Sequence, residues 1–176
     1  MLVLVVGPSG AGKDALLNGA RAAFADDPGI SFARRVITRP ADPGGEDHEP
    51  VTETEFAARD FALSWGAHGL RYGIPAAALT AAPIVVVNVS RGVIEDAARR
   101  FQVRVIEVTA PPEILAARLA ARGRETANDV ARRLSRTASL PDWVETRTVM
   151  NDASLAEGVE RFVAALRDYS AATRGT

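Results

Sequence analysis

Gly7-Pro8-Ser9-Gly10-Ala11-Gly12-Lys13-Asp14 is the stretch that decides the fold. It follows the apolar, β-branched run Leu2–Val6 and precedes a helical pattern over residues 14–24. The spacing is that of a phosphate-binding loop, G-x-x-x-x-G-K, with Asp14 where Ser or Thr normally follows. Glycines let the backbone fold tightly enough for successive N–H groups to face phosphate oxygens. The helix N-terminus behind the loop adds its partial positive charge. Of the 21 basic side chains, Lys13 is the single lysine; the rest are arginine. A compact ammonium on a flexible stem serves as a point charge over phosphates, which the planar guanidinium does not imitate. Gly7, Pro8, Ser9, Gly10, Ala11, Gly12, Lys13 and Asp14 are therefore the expected ATP-binding residues. The alternative is a glycine-rich turn ahead of a purely structural helix.

Working outward from the loop, apolar runs alternate with helical ones. Strand patterns fall at Leu2–Val6, 84–87, 103–108 and Thr146–Met150, with a weaker fifth at 32–37. Helical patterns fall at 14–24, 91–101, 112–122, 128–138 and 155–169. Pro111 and Pro112 suit a helix start, and Glu113 suits its positive end. Thr52 with Glu55 fits a capping box for a short helix to about residue 60. Strand–helix alternation predicts an α/β fold, a five-stranded parallel sheet flanked by helices. Residues 38–76 break the alternation with turns, a short helix and short strands near 61–65 and 70–72. They read as a small substrate-binding lobe within a single domain spanning residues 1–176.

Composition sets bounds. A chain of 176 residues with net charge −1 offers no global field for nucleic acid. The absence of cysteine removes disulfides and thiolate metal sites. The first apolar run is too short for a signal segment or membrane span. The expected compartment is the cytoplasm, and the expected state a monomer or homodimer without membrane or nucleic-acid partners. Two histidines without cysteine make no zinc site. The run Glu46-Asp47-His48-Glu49 has the spacing of a solvated loop, and Trp65 and Trp143 read as packing anchors.

Further segments narrow the reading: Ile37-Thr38-Arg39, Gly44-Gly45-Glu46-Asp47-His48, Leu63-Ser64-Trp65, Asn88 with Ser90 and Arg91, Arg122 to Arg133, and Asn151-Asp152 after the last strand. Together with the Asp14-ended loop they resemble the ribose 1,5-bisphosphate phosphokinase family, a guanylate-kinase-like branch of P-loop kinases, over nearly the whole chain. The resemblance implies transfer of the γ-phosphoryl of ATP to the 1-phosphate of ribose 1,5-bisphosphate, giving 5-phosphoribosyl 1-diphosphate in phosphonate breakdown. It implies Mg²⁺ as cofactor and a sugar bisphosphate as small-molecule partner. Arg122 and Arg133 match arginines that such kinases place on the transferring group, within a lid at 122–135; Arg124 and Arg132 lie in the same stretch. Asn151 and Asp152 are expected near adenine, or as a turn ending the strand.

Departures from the guanylate kinase pattern have a physical reading. Ser64 stands where that pattern has a guanine-binding Glu, and Arg35 where it has a serine. A site that loses a carboxylate and gains a guanidinium suits an anion. Arg35 is thus expected on the distal phosphate and Arg39 on the acceptor phosphate. Asn88 and Arg91 join this substrate set, and Tyr72 and His48 either donate to substrate oxygens or pack the lobe. The strand at 84–87 ends in Asn88-Val89-Ser90 without a carboxylate, so Asp14 is the expected metal residue. Its alternative is a charge favouring the helix N-terminus. Two rival functions remain at this point: a guanylate or other nucleoside monophosphate kinase, and a non-catalytic binding module of the same fold.

Overall fold

The computed structural model describes residues 1–41, 46–121 and 139–174. Strand β1 (Leu2–Val6) is buried at all five positions, as a strand covered on both faces must be. It is the middle member of a five-stranded parallel sheet with β2 (Ile30–Phe32), β7 (Ile84–Asn88), β8 (Val103–Thr109) and β9 (Thr146–Met150), in the order β2-β7-β1-β8-β9. The β2–β7 register matches Ile30 to Ile84; the β8–β9 register matches Val105 to Thr146 and Thr109 to Met150.

The chain divides into two compact units, Met1–Leu4 with Asp26–Val103, and Val5–Ala25 with Arg104–Thr176. The first unit contains a second sheet of β3 (Val36–Ile37), β4 (Glu49–Pro50), β5 (Leu63–Ala67) and β6 (Leu70–Ile74), in the order β4-β3-β6-β5. The β5–β6 hairpin closes on His68 and Gly69, with φ of 55° and 72°. Positive values at both central residues are those of a type I′ turn, whose twist matches that of the flanking strands. Helix α2 (Glu53–Ala57) starts at the predicted Thr52–Glu55 capping box. Phe56 from this helix meets Phe61 at a centroid distance of 4.4 Å. Helix α3 (Ile94–Arg100) completes the unit after a single 3-10 turn at Arg91–Val93.

The second unit holds α1 (Lys13–Ala23), α4 (Pro112–Ala121) and α5 (Leu155–Arg174). Helix α5 buries Gly158, Phe162, Leu166 and Tyr169, one stripe at helical spacing. At Gly19 of α1 a side-chain carbon would stand 2.4 Å from Val159 of α5, so glycine permits the close approach.

Several boundaries differ from the sequence reading. The run 32–37 is not one strand. Ala33 N–H makes a last bond to Val86 O in the large sheet, and Glu49 N–H then bonds Arg35 O in the small one. The chain changes sheets between them. The pattern at 91–101 begins as the 3-10 turn, and α5 runs five residues beyond the predicted end. Trp143 is not a packing anchor; it is 60% exposed. The predicted helix at 128–138 lies outside the described residues.

Candidate functional site

The phosphate loop links β1 to α1. Two of its glycines are sterically obligatory. Gly7 has φ 152°, and a side-chain carbon there would lie 2.0 Å from Val108 O. Gly12 is the N-cap of α1 with φ 85°, and a side-chain carbon there would lie 2.5 Å from Asn151 Nδ2. The backbone turns on itself through Ala11 N–H to Pro8 O, 3.3 Å. Lys13 Nζ donates to Gly7 O at 2.8 Å and Pro8 O at 3.1 Å, so its stem folds back across the loop. Arg118 Nη1 reaches Gly10 O at 3.4 Å. Ser9 is half-buried. The loop has the elements a nucleotide phosphate chain requires: a helix N-terminus, a glycine cradle and one ammonium.

Asp14 is exposed in the first turn of α1. Among the described residues no group of three His, Asp or Glu could hold a metal ion by itself. A single carboxylate fits Mg²⁺ of the kind carried on nucleotide phosphates, which needs only one or two protein oxygens.

Asn151 lies immediately after β9 and is buried. Its amide donates to Ala11 O of the loop at 2.8 Å. Asp152 instead pairs with Arg161 at 2.7 Å. That guanidinium, which donates directly to the carboxylate, holds Asp152 below its usual pKa. Ser154 and Glu157 form a reciprocal cap at the start of α5. Hydrogen bonds from Ser154 likewise lower the pKa of Glu157. The turn thus ties strand, loop and helix together. The contact to Ala11 was not visible in sequence, because it joins residues 140 apart.

Two arginines of the first unit, Arg35 and Arg39, converge on Glu46 beside its small sheet. Arg35 makes a two-pronged ion pair with Glu46, both side chains largely buried. Its guanidinium lies 5.2 Å over the Tyr72 ring, which stacks on Trp65 at 5.4 Å. Arg39 Nη2 stands 3.8 Å from the same Glu46 carboxylate, while Arg39 Nε is buried without a hydrogen-bond partner among the described residues. His48 is buried, its ring nitrogens facing Glu46 O at 2.9 Å and Arg39 O at 3.0 Å. The imidazole therefore pins the segment after residue 45 to Arg39. The run 46–49 is solvated only in part, with Asp47 exposed and His48 buried, and Glu46 is a functional candidate that the sequence reading did not single out. Its signal was its place in the Gly44-Gly45-Glu46-Asp47-His48 segment, which did not reveal its pairing with Arg35.

The structure brings Arg35, Arg39, His48 and Tyr72 together, but not Ser64. Register places Trp65 opposite Tyr72 and Ile37 opposite Tyr72, so these share a face with Arg35. Ser64 pairs with Gly73, on the other face, and is exposed. Asn88 is buried at the end of β7, and Arg91 begins the 3-10 turn that follows. Arg122, Arg124, Arg132 and Arg133 lie outside the described residues.

No family model matches the chain. Curated relatives do. Ribose 1,5-bisphosphate phosphokinase of Acidiphilium cryptum is 62% identical over 141 residues, covering 78% of this chain and 77% of the relative. The protein of the same name from Methylobacterium radiotolerans is 48% identical over 174 residues, covering 94% and 97%. A bifunctional ribose 1,5-bisphosphokinase-thymidine phosphorylase of Cupriavidus pinatubonensis is 53% identical, but the match spans 29% of that longer protein. Among solved structures, guanylate kinase from Anaplasma phagocytophilum superimposes with a TM-score of 0.66 at 18% identity, over 96% of this chain and 85% of that one. That likeness speaks to the P-loop kinase fold.

Proposed function

The chain belongs to the ribose 1,5-bisphosphate phosphokinase family, and we propose that it phosphorylates ribose 1,5-bisphosphate at the expense of ATP, in phosphonate breakdown. An oxygen of the acceptor's 1-phosphate forms a bond to the γ-phosphorus of ATP. The bond to the β-phosphate oxygen breaks, and ADP leaves. The product is 5-phosphoribosyl 1-diphosphate. The single observation that carries this reading is the near end-to-end match, at 48% identity, with a relative of that name.

The roles follow from charge and position. Phosphoryl transfer asks the protein mainly for positioning and neutralisation. The loop N–H groups and Lys13 hold the β- and γ-phosphates, and Asp14 supports Mg²⁺, which would neutralise charge on those phosphates when bound. Arg39 is the better candidate for the acceptor phosphate, because its Nε has no hydrogen-bond partner among the described residues whereas Arg35 already has Glu46. In this reading Arg35, fixed by Glu46 and Tyr72, shapes the pocket and offers its remaining edge to the distal phosphate. The lid residues Arg122 and Arg133 would neutralise the group in flight. A cytoplasmic setting supplies the ATP.

The test is ADP release with ribose 1,5-bisphosphate, GMP or AMP as acceptor. Turnover with the bisphosphate and background rates with both nucleotides are expected. Faster turnover of GMP than of the bisphosphate overturns the assignment and returns the chain to the guanylate kinase reading.

A further inference from the structure

Asn151 was expected near adenine, yet its surroundings are those of a different task. The backbone N–H of Asn151 donates to Thr109 O at 2.8 Å, which carries the β8–β9 ladder one residue past β9. The side chain is thereby aimed from a rigid strand end. Its Nδ2 donates to Ala11 O at 2.8 Å. On one side a side-chain carbon at Gly12 would lie 2.5 Å from Nδ2; on the other, one at Gly158 would lie 2.6 Å from Oδ1. The amide is held between two glycines, with 5% of the residue exposed.

The consequence lies in the next peptide. The Ala11–Gly12 bond is trans, and in a planar trans peptide the C=O and N–H point in opposite directions. Drawing Ala11 O toward Asn151 therefore leaves Gly12 N–H turned away from Asn151, free of that contact and able to face a bound phosphate. The amide proton bonds only a carbonyl held in that orientation. We infer that Asn151 is a positioning residue: it sets the phosphate loop in its anion-binding shape and does not select the base. This rests on the loop's taking nucleotide phosphates, the reading given above.

The experiment measures binding of MgADP and of inorganic tripolyphosphate to the full chain, with no acceptor present. Asn151→Asp keeps the shape and removes the donor. Expected is a loss of about tenfold in affinity for both ligands, with the preference for ATP over GTP in turnover unchanged. An adenine contact would instead weaken MgADP, spare tripolyphosphate and collapse the nucleotide preference, which overturns the inference. Unchanged affinity for both ligands overturns it as well. Circular dichroism and thermal unfolding check that the variant is folded. If Asn151→Asp does not fold, Gly158→Ala serves, because its methyl group pushes on the amide without deleting it; the same parallel loss is expected. A wild-type protein that binds MgADP but does not phosphorylate ribose 1,5-bisphosphate refutes the proposed acceptor and leaves this inference standing.

Discussion

Lys13 and Asp14 are adjacent, yet they answer to different physics. The ammonium matters most when charge on the transferring group is redistributed, so Lys13→Ala should lower kcat by roughly 10²- to 10³-fold. Its hydrogen bonds to Gly7 and Pro8 are partly exposed, so the thermal midpoint should move little. Near wild-type turnover in a folded Lys13→Ala protein removes the kinase reading. Asp14→Ser restores the commoner loop residue but removes an acid. The variant should need several-fold more Mg²⁺ for half-maximal rate; an unchanged requirement reduces Asp14 to a favourable charge at the helix N-terminus. Residue-scale chemistry was legible here because a phosphate loop is local. Gly7, Gly12 and Lys13 lie within seven positions, and each is forced by backbone geometry or charge. The pairing of Glu46 with Arg35 and the contact of Asn151 with Ala11 were not legible, because these partners become neighbours only when distant segments pack.

Elements were legible where one environment persists along the run. Leu2–Val6 is buried throughout and reads as one strand. The 32–37 run failed because apolar pattern does not record which sheet accepts the hydrogen bonds; the switch falls at Arg34 and Arg35, whose side chains turn to Asp47 and Glu46. The small hairpin offers a test of an element by itself. His68 has φ 55°, a region that β-branched residues occupy only with strain. His68→Val should cost about 1–2 kcal/mol of stability, read by chemical denaturation, whereas His68→Asn should cost nothing or stabilise, since Asn before Gly suits this turn. Equal stability of the Val and Asn variants would show that the turn is not what fixes the β5–β6 register. MgADP affinity should be unchanged in both, because the hairpin contributes no phosphate-loop residue.

At the scale of the whole molecule, net charge is close to zero, so global repulsion has little part in its pH response near neutrality. Strong alkali is different, because a single buried phenol ties α5 to the sheet edge. Tyr169 is 1% exposed. Its hydroxyl donates to Val105 O at 2.9 Å and lies 3.3 Å from Glu145 O. Burial first, and the Glu145 charge second, push its pKa up to about 12 from 10.0. The folded protein therefore holds the phenolic proton more tightly than the unfolded chain does. The resulting stability is fully present below pH 10 and is lost as pH rises from about 10 to 12, amounting to roughly 2–3 kcal/mol. Tyr169→Phe removes that dependence and costs about 1–2 kcal/mol at pH 7 through the lost hydrogen bonds. Other groups also titrate in alkali, but they are common to both proteins, so the difference between them isolates Tyr169. Denaturant unfolding at pH 8 and pH 11.5 should show wild type ahead at the lower pH and its lead reduced or reversed at the higher. A lead that stays constant across that window would mean that the folded protein does not hold the proton, and that the phenol ionises in place without loosening α5.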